Sequence, residues 1–323
     1  MTLRAVIRGI GHYLPERVVE NAEFEKTIDT NDAWIRSRTG IERRHFAAEG
    51  ETTSDLGTKA CRAALQEAGL EPDDLDALIV ATSTADLTFP AAATMIQGKL
   101  GMTRGFAFDV QAVCAGFAYA MTTANALIAS GQAQRVMVCG AETFSRLMDW
   151  TDRGTCVLFG DGAGAVLLEA RNAEGTPADR GILASEIHSD GRYKDILYVD
   201  GGVSTHTTGH LRMHGKEVFR HAVEKLAGTA RTTLAKAGLT PAHIDWIVPH
   251  QANLRILTAT ADRLNVPMEK VIVTVQDHGN TSAASIPLAL SIGRADGRLK
   301  EGDLVVIGAI GGGLAWGSVV FRI

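Results

Sequence analysis

The sequence predicts an α/β protein built from two related halves. Short apolar, β-rich runs alternate with longer helical patterns along all 323 residues, an order typical of sheets covered by helices. The composition is 46% hydrophobic but only 6% aromatic, with 34 glycines, which favours close packing of small side chains over disorder. The second half also repeats features of the first, and such a repeat indicates an internal duplication.

The secondary-structure elements follow this alternation in chain order. The predicted strands cover residues 5–10, 77–81, 105–110, 136–139, 165–168, 246–248, 271–275, 304–310 and 316–321. Helical periodicity predicts helices over residues 51–68, 91–100, 115–128, 218–237, 254–264 and 285–295. Because helices alternate with strands, we expect mostly parallel sheets.

The repeat between the halves is local. In each half a helix ends at the tripeptide Ala-Gly-Leu (68–70 and 237–239), and an acidic turn then leads to a strand. Further on, each half carries an Ala/Ser-rich helix that a polar residue opens, Cys114 in the first and Asn280 in the second. These features predict two halves that face each other across a shared site. Their expected bounds are residues 1–172 and 173–323.

Charge, hydropathy and cysteine usage exclude several classes of protein. The formal net charge is −5, so nothing suggests binding to nucleic acid. No apolar stretch is suited to span a membrane, and the N-terminus does not resemble a signal peptide. The four cysteines are scattered without Cys-x-x-Cys pairs, which argues against a disulfide framework or a zinc site and favours the cytoplasm.

Three histidines recur at every fourth residue: His206, His210 and His214. On a helix they would align as metal ligands. Gly209 and Gly215 argue against a helix in this segment. We therefore expect no metal site.

Cys114 is the strongest candidate for a reactive residue. It lies between the predicted strand 105–110 and the predicted helix 115–128, and so at the start of that helix. Unpaired N–H groups and the helix dipole favour an anion there, so we expect an accessible thiolate near neutral pH. Taken alone, a small buried Cys that only packs is the alternative interpretation.

Three further segments place candidate groups at the ends of predicted strands. They are His250 after one strand, Asn280 after the next, and the Gly-Gly-Gly run 311–313 between the last two. Ligands of α/β sheets bind beyond the carboxyl ends of strands, so these groups are expected to converge. Singly, a strand-end His is more often a surface or capping residue, and Asn280 is a plausible helix cap. Together with Cys114 they favour a catalytic triad.

These segments and two others resemble the β-ketoacyl-acyl-carrier-protein synthase III family, the initiating condensing enzymes of bacterial type II fatty-acid synthesis. The others are 31–41 (Asn-Asp-Ala-Trp-Ile-Arg-Ser-Arg-Thr-Gly-Ile), and 152–155 (Asp-Arg-Gly-Thr) with 159–164 (Phe-Gly-Asp-Gly-Ala-Gly). The resemblance covers nearly the whole chain. It implies the thiolase fold, a duplicated α/β unit in a five-layer αβαβα sandwich.

The resemblance also implies a two-step acyl transfer that needs no cofactor, since the CoA thioester is a substrate. Cys114 would attack an acyl-CoA, with the oxyanion held by the backbone N–H groups of Cys114 and Gly312. Malonyl-acyl carrier protein would then lose CO₂, while His250 Nε2 and Asn280 donate to the enolate oxygen. Elongating condensing enzymes use Cys-His-His, which makes His278 the alternative. The order His-Gly-Asn-Thr matches the initiating type and favours Asn280.

Substrate contacts carry over from the family in the same way. Trp34 and Arg38 match the residues that sandwich the CoA adenine, and the remaining CoA contacts are Thr30, Arg153 and Asn253. An indole face and a guanidinium plane suit a purine. A surface Trp covered by an Arg is the alternative.

The resemblance further implies a homodimer and a carrier-protein partner. Phe89 matches a residue that closes the acyl pocket of the other subunit. Arg255 matches a docking residue for the acyl carrier protein, and Arg220 is its plausible neighbour; two ordinary solvated arginines are the alternative. Similar relatives often carry a basic pair where this chain has Asp262-Arg263, so the patch is expected to be weaker or shifted.

Two other functions stay open at this level. A synthase-III-like acyltransferase of secondary metabolism would share the triad. A non-catalytic module that binds acyl chains or carrier proteins would form no acyl-enzyme. Biosynthetic thiolase is disfavoured, because it needs a second cysteine near the C-terminus and none follows Cys156. The primer acyl group is not readable from the sequence, since the depth of a pocket depends on rotamers.

Overall fold

Residues 2–323 are described by a computed structural model. Over that range the strands are β1 Thr2–Tyr13, β2 Arg17–Glu20, β3 Arg43–Phe46, β4 Ala77–Ala81, β5 Phe106–Val110, β6 Arg135–Thr143, β7 Asp161–Ala173, β8 Gly181–Ser189, β9 Leu197–Val199, β10 Leu211–Met213, β11 Trp246–Pro249, β12 Leu304–Gly311 and β13 Ala315–Arg322. The α-helices are α1 Asn21–Phe24, α2 Asp32–Thr39, α3 Thr53–Ala68, α4 Ala92–Leu100, α5 Gly116–Ala129, α6 Gly215–Lys236, α7 Leu254–Leu264, α8 Val275–His278 and α9 Ser285–Ala295.

Two sheets form the framework of the fold. The first has the strand order β1-β7-β6-β4-β5, and the second has the order β11-β12-β13-β8. Helices α3 and α4 pack on the outer face of the first sheet, α6 and α7 lie outside the second, and α5 and α9 lie between the sheets. This is the five-layer αβαβα sandwich that the sequence predicted. The first sheet is built from residues 2–173 and the second from residues 181–322.

The sheets are mixed, so the prediction of mostly parallel sheets was wrong. Strand pairs β4–β5, β4–β6 and β11–β12 are parallel. Pairs β1–β7, β6–β7, β12–β13 and β13–β8 are antiparallel. The physical reason is the connection: β7 follows β6, and β13 follows β12, without an intervening α-helix, so each of these strands returns antiparallel to its neighbour.

One predicted strand, 271–275, does not form. The segment makes a single parallel bridge to β11 and then turns into α8. The buried Gln251 side chain takes the place of a strand neighbour: its NH₂ donates to the Ile272 carbonyl at 3.0 Å, and its oxygen accepts the Thr274 N–H at 2.8 Å. Because a side chain satisfies these backbone groups, the chain is free to turn toward the centre of the molecule.

The duplication is visible in the backbone in front of the two central helices. Val113 and Ser282 both have φ of 49°, and each opens a single 3-10 turn that leads straight into α5 or α9. This left-handed conformation is strained for a residue that is not glycine. Counted from these residues, Cys114 matches Ala283 of the second half. The sequence repeat had matched Cys114 with Asn280, which is wrong by this measure.

Two further features concern the histidine segment 206–214 and the lengths of the helices. The segment 206–214 contains turns and β10 but no helix, so its three histidines do not align on one. Residues 2–323 contain no group of three or more His, Cys, Asp or Glu residues suited to hold a metal ion. None of the helices in residues 2–323 combines the length and the apolar character that crossing a membrane requires.

Candidate active site

Cys114, His250 and Asn280 line one cavity of about 360 Å³. Cys114 lies in the 3-10 turn before α5, His250 directly follows β11, and Asn280 lies just past α8. All three side chains are buried. Much of the remaining wall is apolar, including Phe159, Leu197, Leu211, Met213, Leu226 and Ile310. The fold therefore brings a thiol, an imidazole and an amide from both halves to one apolar space.

Burial dominates the acidity of Cys114. It raises the pKa of the thiol to about 12, and the nearby Glu142 carboxyl adds to the rise. The Ser282 hydroxyl and the backbone N–H of Cys114 act in the opposite direction but do not outweigh burial. The prediction of a free thiolate near neutral pH was therefore wrong, since desolvation exceeds the effect of the helix start. A thiol with this pKa keeps its proton at neutral pH.

Hydrogen bonding and burial hold His250 as a neutral donor. Its Nδ1 lies 2.7 Å from Ser285 Oγ, and that oxygen accepts the backbone N–H of Gln251 at 3.3 Å. Ser285 is then free to donate its own proton to Nδ1, which places the ring proton on Nε2. Burial lowers the pKa of His250 to about 3, so this neutral form persists at physiological pH.

Asn280 is oriented by the residues that follow it. Its Oδ1 accepts the Ser282 N–H at 2.9 Å, and its backbone bonds to Leu158 and Gly160 on the neighbouring segment. With the oxygen engaged, the side-chain NH₂ donates to no other described residue. An amide does not titrate, so this group is a hydrogen-bond donor at any pH.

Gly312 offers a free N–H at the end of β12. It donates no hydrogen bond within residues 2–323. A side chain at this position would collide with the chain opposite, because a Cβ atom would lie 2.6 Å from the Leu197 carbonyl oxygen. The turn therefore needs glycine at this position.

Two segments of the chain match sequence models of one family. Residues 108–191 match 3-oxoacyl-[acyl-carrier-protein (ACP)] synthase III, and residues 234–323 match the C-terminal part of the same family. The chain is also 75% identical over 322 residues to the β-ketoacyl-[acyl-carrier-protein] synthase III of Cereibacter sphaeroides, with 100% of each chain covered. The chain belongs to the β-ketoacyl-acyl-carrier-protein synthase III family. The resemblance found in the sequence is confirmed, and the chain is a condensing enzyme of the acyltransferase class.

Solved structures agree with the synthase III assignment. The crystal structure of 3-oxoacyl-[acyl-carrier-protein] synthase III from Aquifex aeolicus superposes with a TM-score of 0.93 at 44% identity, covering 99% of this chain and 100% of that one. The priming β-ketosynthase of the R1128 polyketide pathway also gives 0.93, at 34% identity over 100% and 97% of the two chains. The thiolase-like fold is thus shared by both kinds of synthase. The higher identities favour fatty-acid synthesis over secondary metabolism.

Trp34, which the synthase III resemblance placed in a clamp around the CoA adenine, is covered by Arg153. The guanidinium of Arg153 lies over the Trp34 ring, 5.4 Å from its centroid, and also donates to the Asp29 carbonyl oxygen at 2.8 Å. Arg153, and not Arg38, lies over the Trp34 ring in this structure, and the pairing of Trp34 with Arg38 around the adenine stays a prediction. Both residues lie on α2 four positions apart, and so side by side, whereas Arg153 reaches the ring from another segment. Arg38 lines the cavity instead.

The other predicted CoA contacts are Asn253 and Thr30. Asn253 lines the cavity, and its Oδ1 caps α7 by accepting the Ile256 N–H at 3.0 Å, which leaves its NH₂ to donate. The Thr30 hydroxyl is buried without a partner among the described residues.

The predicted docking and pocket residues lie at the surface. Arg255 lines the cavity, with its guanidinium 5.5 Å from the centroid of the Phe219 ring, and the exposed Arg220 follows Phe219 in α6. Phe89 is 82% exposed and does not line the cavity of its own chain. Lys216 also lines the cavity. Sequence reasoning missed it, because a single lysine at a helix start carries no pattern.

Proposed function

We propose that this chain starts fatty-acid synthesis by joining an acyl group to a two-carbon unit. Acyl-CoA acylates Cys114, and a decarboxylative Claisen condensation with malonyl-acyl carrier protein then gives β-ketoacyl-acyl carrier protein, CoA and CO₂. The observation that carries the proposal is the convergence of Cys114, His250 and Asn280 on one apolar cavity. The reaction needs no further cofactor, since the CoA thioester is itself a substrate.

In the first half-reaction Cys114 attacks the thioester carbonyl and loses its proton as the bond forms. The oxyanion of the tetrahedral intermediate accepts hydrogen bonds from the backbone N–H groups of Cys114 and Gly312. These donors are fixed by the backbone and need no reorganisation, and one such donor is worth about 3–4 kcal/mol of barrier. Collapse of the intermediate releases CoA and leaves the acyl-enzyme.

In the second half-reaction the malonyl group loses CO₂ and leaves an enolate. The His250 Nε2–H and the Asn280 NH₂ donate to the thioester oxygen as its charge develops. Both donors are neutral, so neither has to transfer a proton. The apolar wall excludes water, which would otherwise protonate the carbanion. The carbanion then attacks the acyl carbonyl on Cys114, and the thiol is regenerated when the product leaves.

Cations at the cavity support delivery of the acyl group on a phosphorylated carrier. Arg38, Lys216 and Arg255 line the cavity. Arg38 and Lys216 suit the phosphates of CoA, and Arg255 suits an acidic carrier protein. Trp34 and Arg153 provide a planar platform for the adenine, which would stack on the indole by displacing the exposed guanidinium. Asn253 and Thr30 offer further polar contacts.

We also propose a homodimer that works in the cytoplasm. Strand β5 is an edge of the first sheet, and Phe106 on this strand is 42% exposed. Leu87 and Phe89, on the loop after β4, are more exposed still. An open edge beside exposed apolar side chains favours pairing with a second copy. All four cysteines are free, which suits a reducing compartment.

Sedimentation at micromolar concentration tests the homodimer, since a monomer would contradict it. If the dimer holds, Phe89→Thr should extend the acyl chain that the enzyme accepts. An unchanged chain-length profile would remove Phe89 from the pocket.

Mass spectrometry after incubation with acyl-CoAs tests the function. Acetyl-CoA should add one acetyl group to the wild-type protein. Cys114→Ser should abolish this addition, and the control Cys156→Ser should retain it. Asn280→Ala should still be acylated but should not release CO₂ from malonyl-acyl carrier protein. Asn172→Ala, at the exposed C-terminal end of β7, should both be acylated and release CO₂. Failure of the wild-type protein to form any acyl-enzyme would contradict the proposal and favour a binding module.

A further inference from the structure

The surface formed by α6 and α7 is more basic than the rest of the chain. The two helices carry seven Lys or Arg residues and three Asp or Glu residues, a formal charge of +4 on a chain whose formal net charge is −5. Within residues 2–323, only one of these seven cations forms an ion pair, Lys236 with Glu186. Sixteen of the other twenty-five Lys and Arg residues do so. Unpaired cations gathered on one surface favour an acidic partner.

Four of these cations form two like-charge pairs, one at each end of the contact between α6 and α7. In the first pair, the Arg255 guanidinium lies 5.5 Å from the centroid of the Phe219 ring, and Arg220 follows Phe219 directly. In the second pair, the Arg231 guanidinium donates to the Arg263 carbonyl oxygen. All four arginines are exposed. Arg220 and Arg231 are eleven residues apart on α6, a distance of about 16 Å along a helix.

The first pair lies where the active-site cavity opens. Lys216 and Arg255 are each the second residue of their helix, and both line the cavity while being exposed to solvent. A carrier protein whose arm enters this cavity of about 360 Å³ must leave its folded body outside. Even a small domain is about 30 Å across, so a body resting at the starts of α6 and α7 also reaches the second pair.

We propose that the second pair, Arg231 and Arg263, is a further docking contact for the carrier protein, which binds it through acidic side chains. The proposal rests on the function proposed above, in which malonyl-acyl carrier protein is the second substrate. Two like charges held side by side repel each other, and carboxylates that bind between them remove this repulsion. Two contacts on one rigid surface also fix the orientation of the carrier, which a single contact at the cavity does not.

The surroundings of the second pair leave both guanidinium groups available. Arg231 and Arg263 border a shallow surface depression together with Lys225 and two acids, Glu186 and Glu224. Glu186 is already paired with a lysine. Glu224 is exposed and forms no ion pair within residues 2–323. The depression therefore keeps an excess of positive charge that the chain itself does not neutralise.

Arg231→Glu tests the second pair through the KM for malonyl-acyl carrier protein, measured at saturating acetyl-CoA. Surface charges mainly set association rates, so the KM should rise about fivefold at low salt, and the difference should shrink as salt is raised. Arg231→Lys keeps the charge and should stay within about twofold of the wild-type KM. Acylation of Cys114 by acetyl-CoA, followed by mass spectrometry, should be unchanged in both variants, which also shows that they fold.

Arg62→Glu is the matched control, because the exposed Arg62 on α3 also donates to a backbone carbonyl, that of Lys99 at 2.7 Å, and forms no ion pair with a described residue. It should keep the wild-type KM. If Arg231→Glu leaves the KM unchanged, or if Arg62→Glu raises it equally, the second contact is wrong while the proposed function stands. If Arg231→Lys loses as much as Arg231→Glu, the charge is not what matters and the docking contact is also wrong. If the wild-type protein is never acylated, the proposed function fails and this contact fails with it.

Discussion

Gly311 and Cys114 approach so closely that a Cβ atom on Gly311 would lie 2.7 Å from the backbone nitrogen of Cys114. The same atom would lie 2.8 Å from the Ala112 carbonyl oxygen. The end of β12, from the second half, is therefore in contact with the turn of the first half that carries Cys114. Because Gly312 follows directly, this contact also sets where its free N–H lies relative to the thiol.

Gly311→Ala should separate these two backbones and disrupt the oxyanion site. We expect the rate of acylation by acetyl-CoA to fall about a hundredfold, which is the scale of losing one oxyanion donor. Gly308→Ala is the matched control on the same strand, since its Cβ would meet other atoms only at 3.6 Å or more. Stopped-flow measurement of CoA release checks both variants. Equal rates in the two would show that the Gly311 contact does not position the site.

Ser285 should control decarboxylation through the orientation of His250. Ser285→Ala removes the group at 2.7 Å from Nδ1, and the ring is then free to adopt the tautomer without a proton on Nε2. We expect CO₂ release from malonyl-acyl carrier protein to fall about tenfold, the lower end of what a misaligned catalytic donor costs, while acylation stays near normal. Ser291→Ala, also on α9, is the control, because Ser291 makes the same kind of contact with His12 at 2.8 Å away from the cavity. Equal loss in both variants would indicate general damage to α9.

His278 should make the fold sensitive to acid without taking part in condensation. Burial, together with His45 and His12, lowers its pKa to about 4, so the folded chain binds this proton less readily than the unfolded chain does. Stability is therefore lost as the pH falls from about 6.5 to about 4, by roughly 3 kcal/mol for this group. His278→Gln should show a correspondingly smaller loss in the free energy of unfolding by urea between pH 7 and 4.5.

The exposed His206→Gln is the control for His278→Gln and should keep the wild-type dependence on pH. His278 does not line the cavity, so His278→Gln should also retain CO₂ release. Loss of CO₂ release in that variant would reinstate His278 as the donor in place of Asn280.

Arg255 should matter for the carrier protein more than for acyl-CoA. Arg255→Glu reverses the charge at the cavity, and surface charges mainly set association rates and salt dependence. We expect the KM for malonyl-acyl carrier protein to rise about tenfold at low salt, as expected for removing a steering charge, and acylation of Cys114 to change little. Lys300→Glu, an exposed charge reversal in the turn before β12, is the control. If both half-reactions fall equally, Arg255 is not a docking residue.

Local sequence signals were sufficient where an element carries its own start and stop. The prediction of α7 is correct to the residue, because Asn253 caps its first turn and Asn265 ends it in the left-handed conformation. Strand β4 is also correct to the residue, since it is a continuous apolar run buried on both faces. The strand expected at 271–275 fails for a non-local reason: Gln251, twenty residues earlier, supplies its hydrogen bonds.

The sequence by itself determined the family, the layered fold and the three candidate catalytic residues, because these depend on residue types at fixed positions along the chain. Tertiary structure alone decided their chemistry. Burial makes Cys114 a neutral thiol and His250 a neutral donor, and the packing of the two halves brings both groups to one cavity. Desolvation and contact depend on what surrounds a group in space, and the linear order of residues does not contain that information.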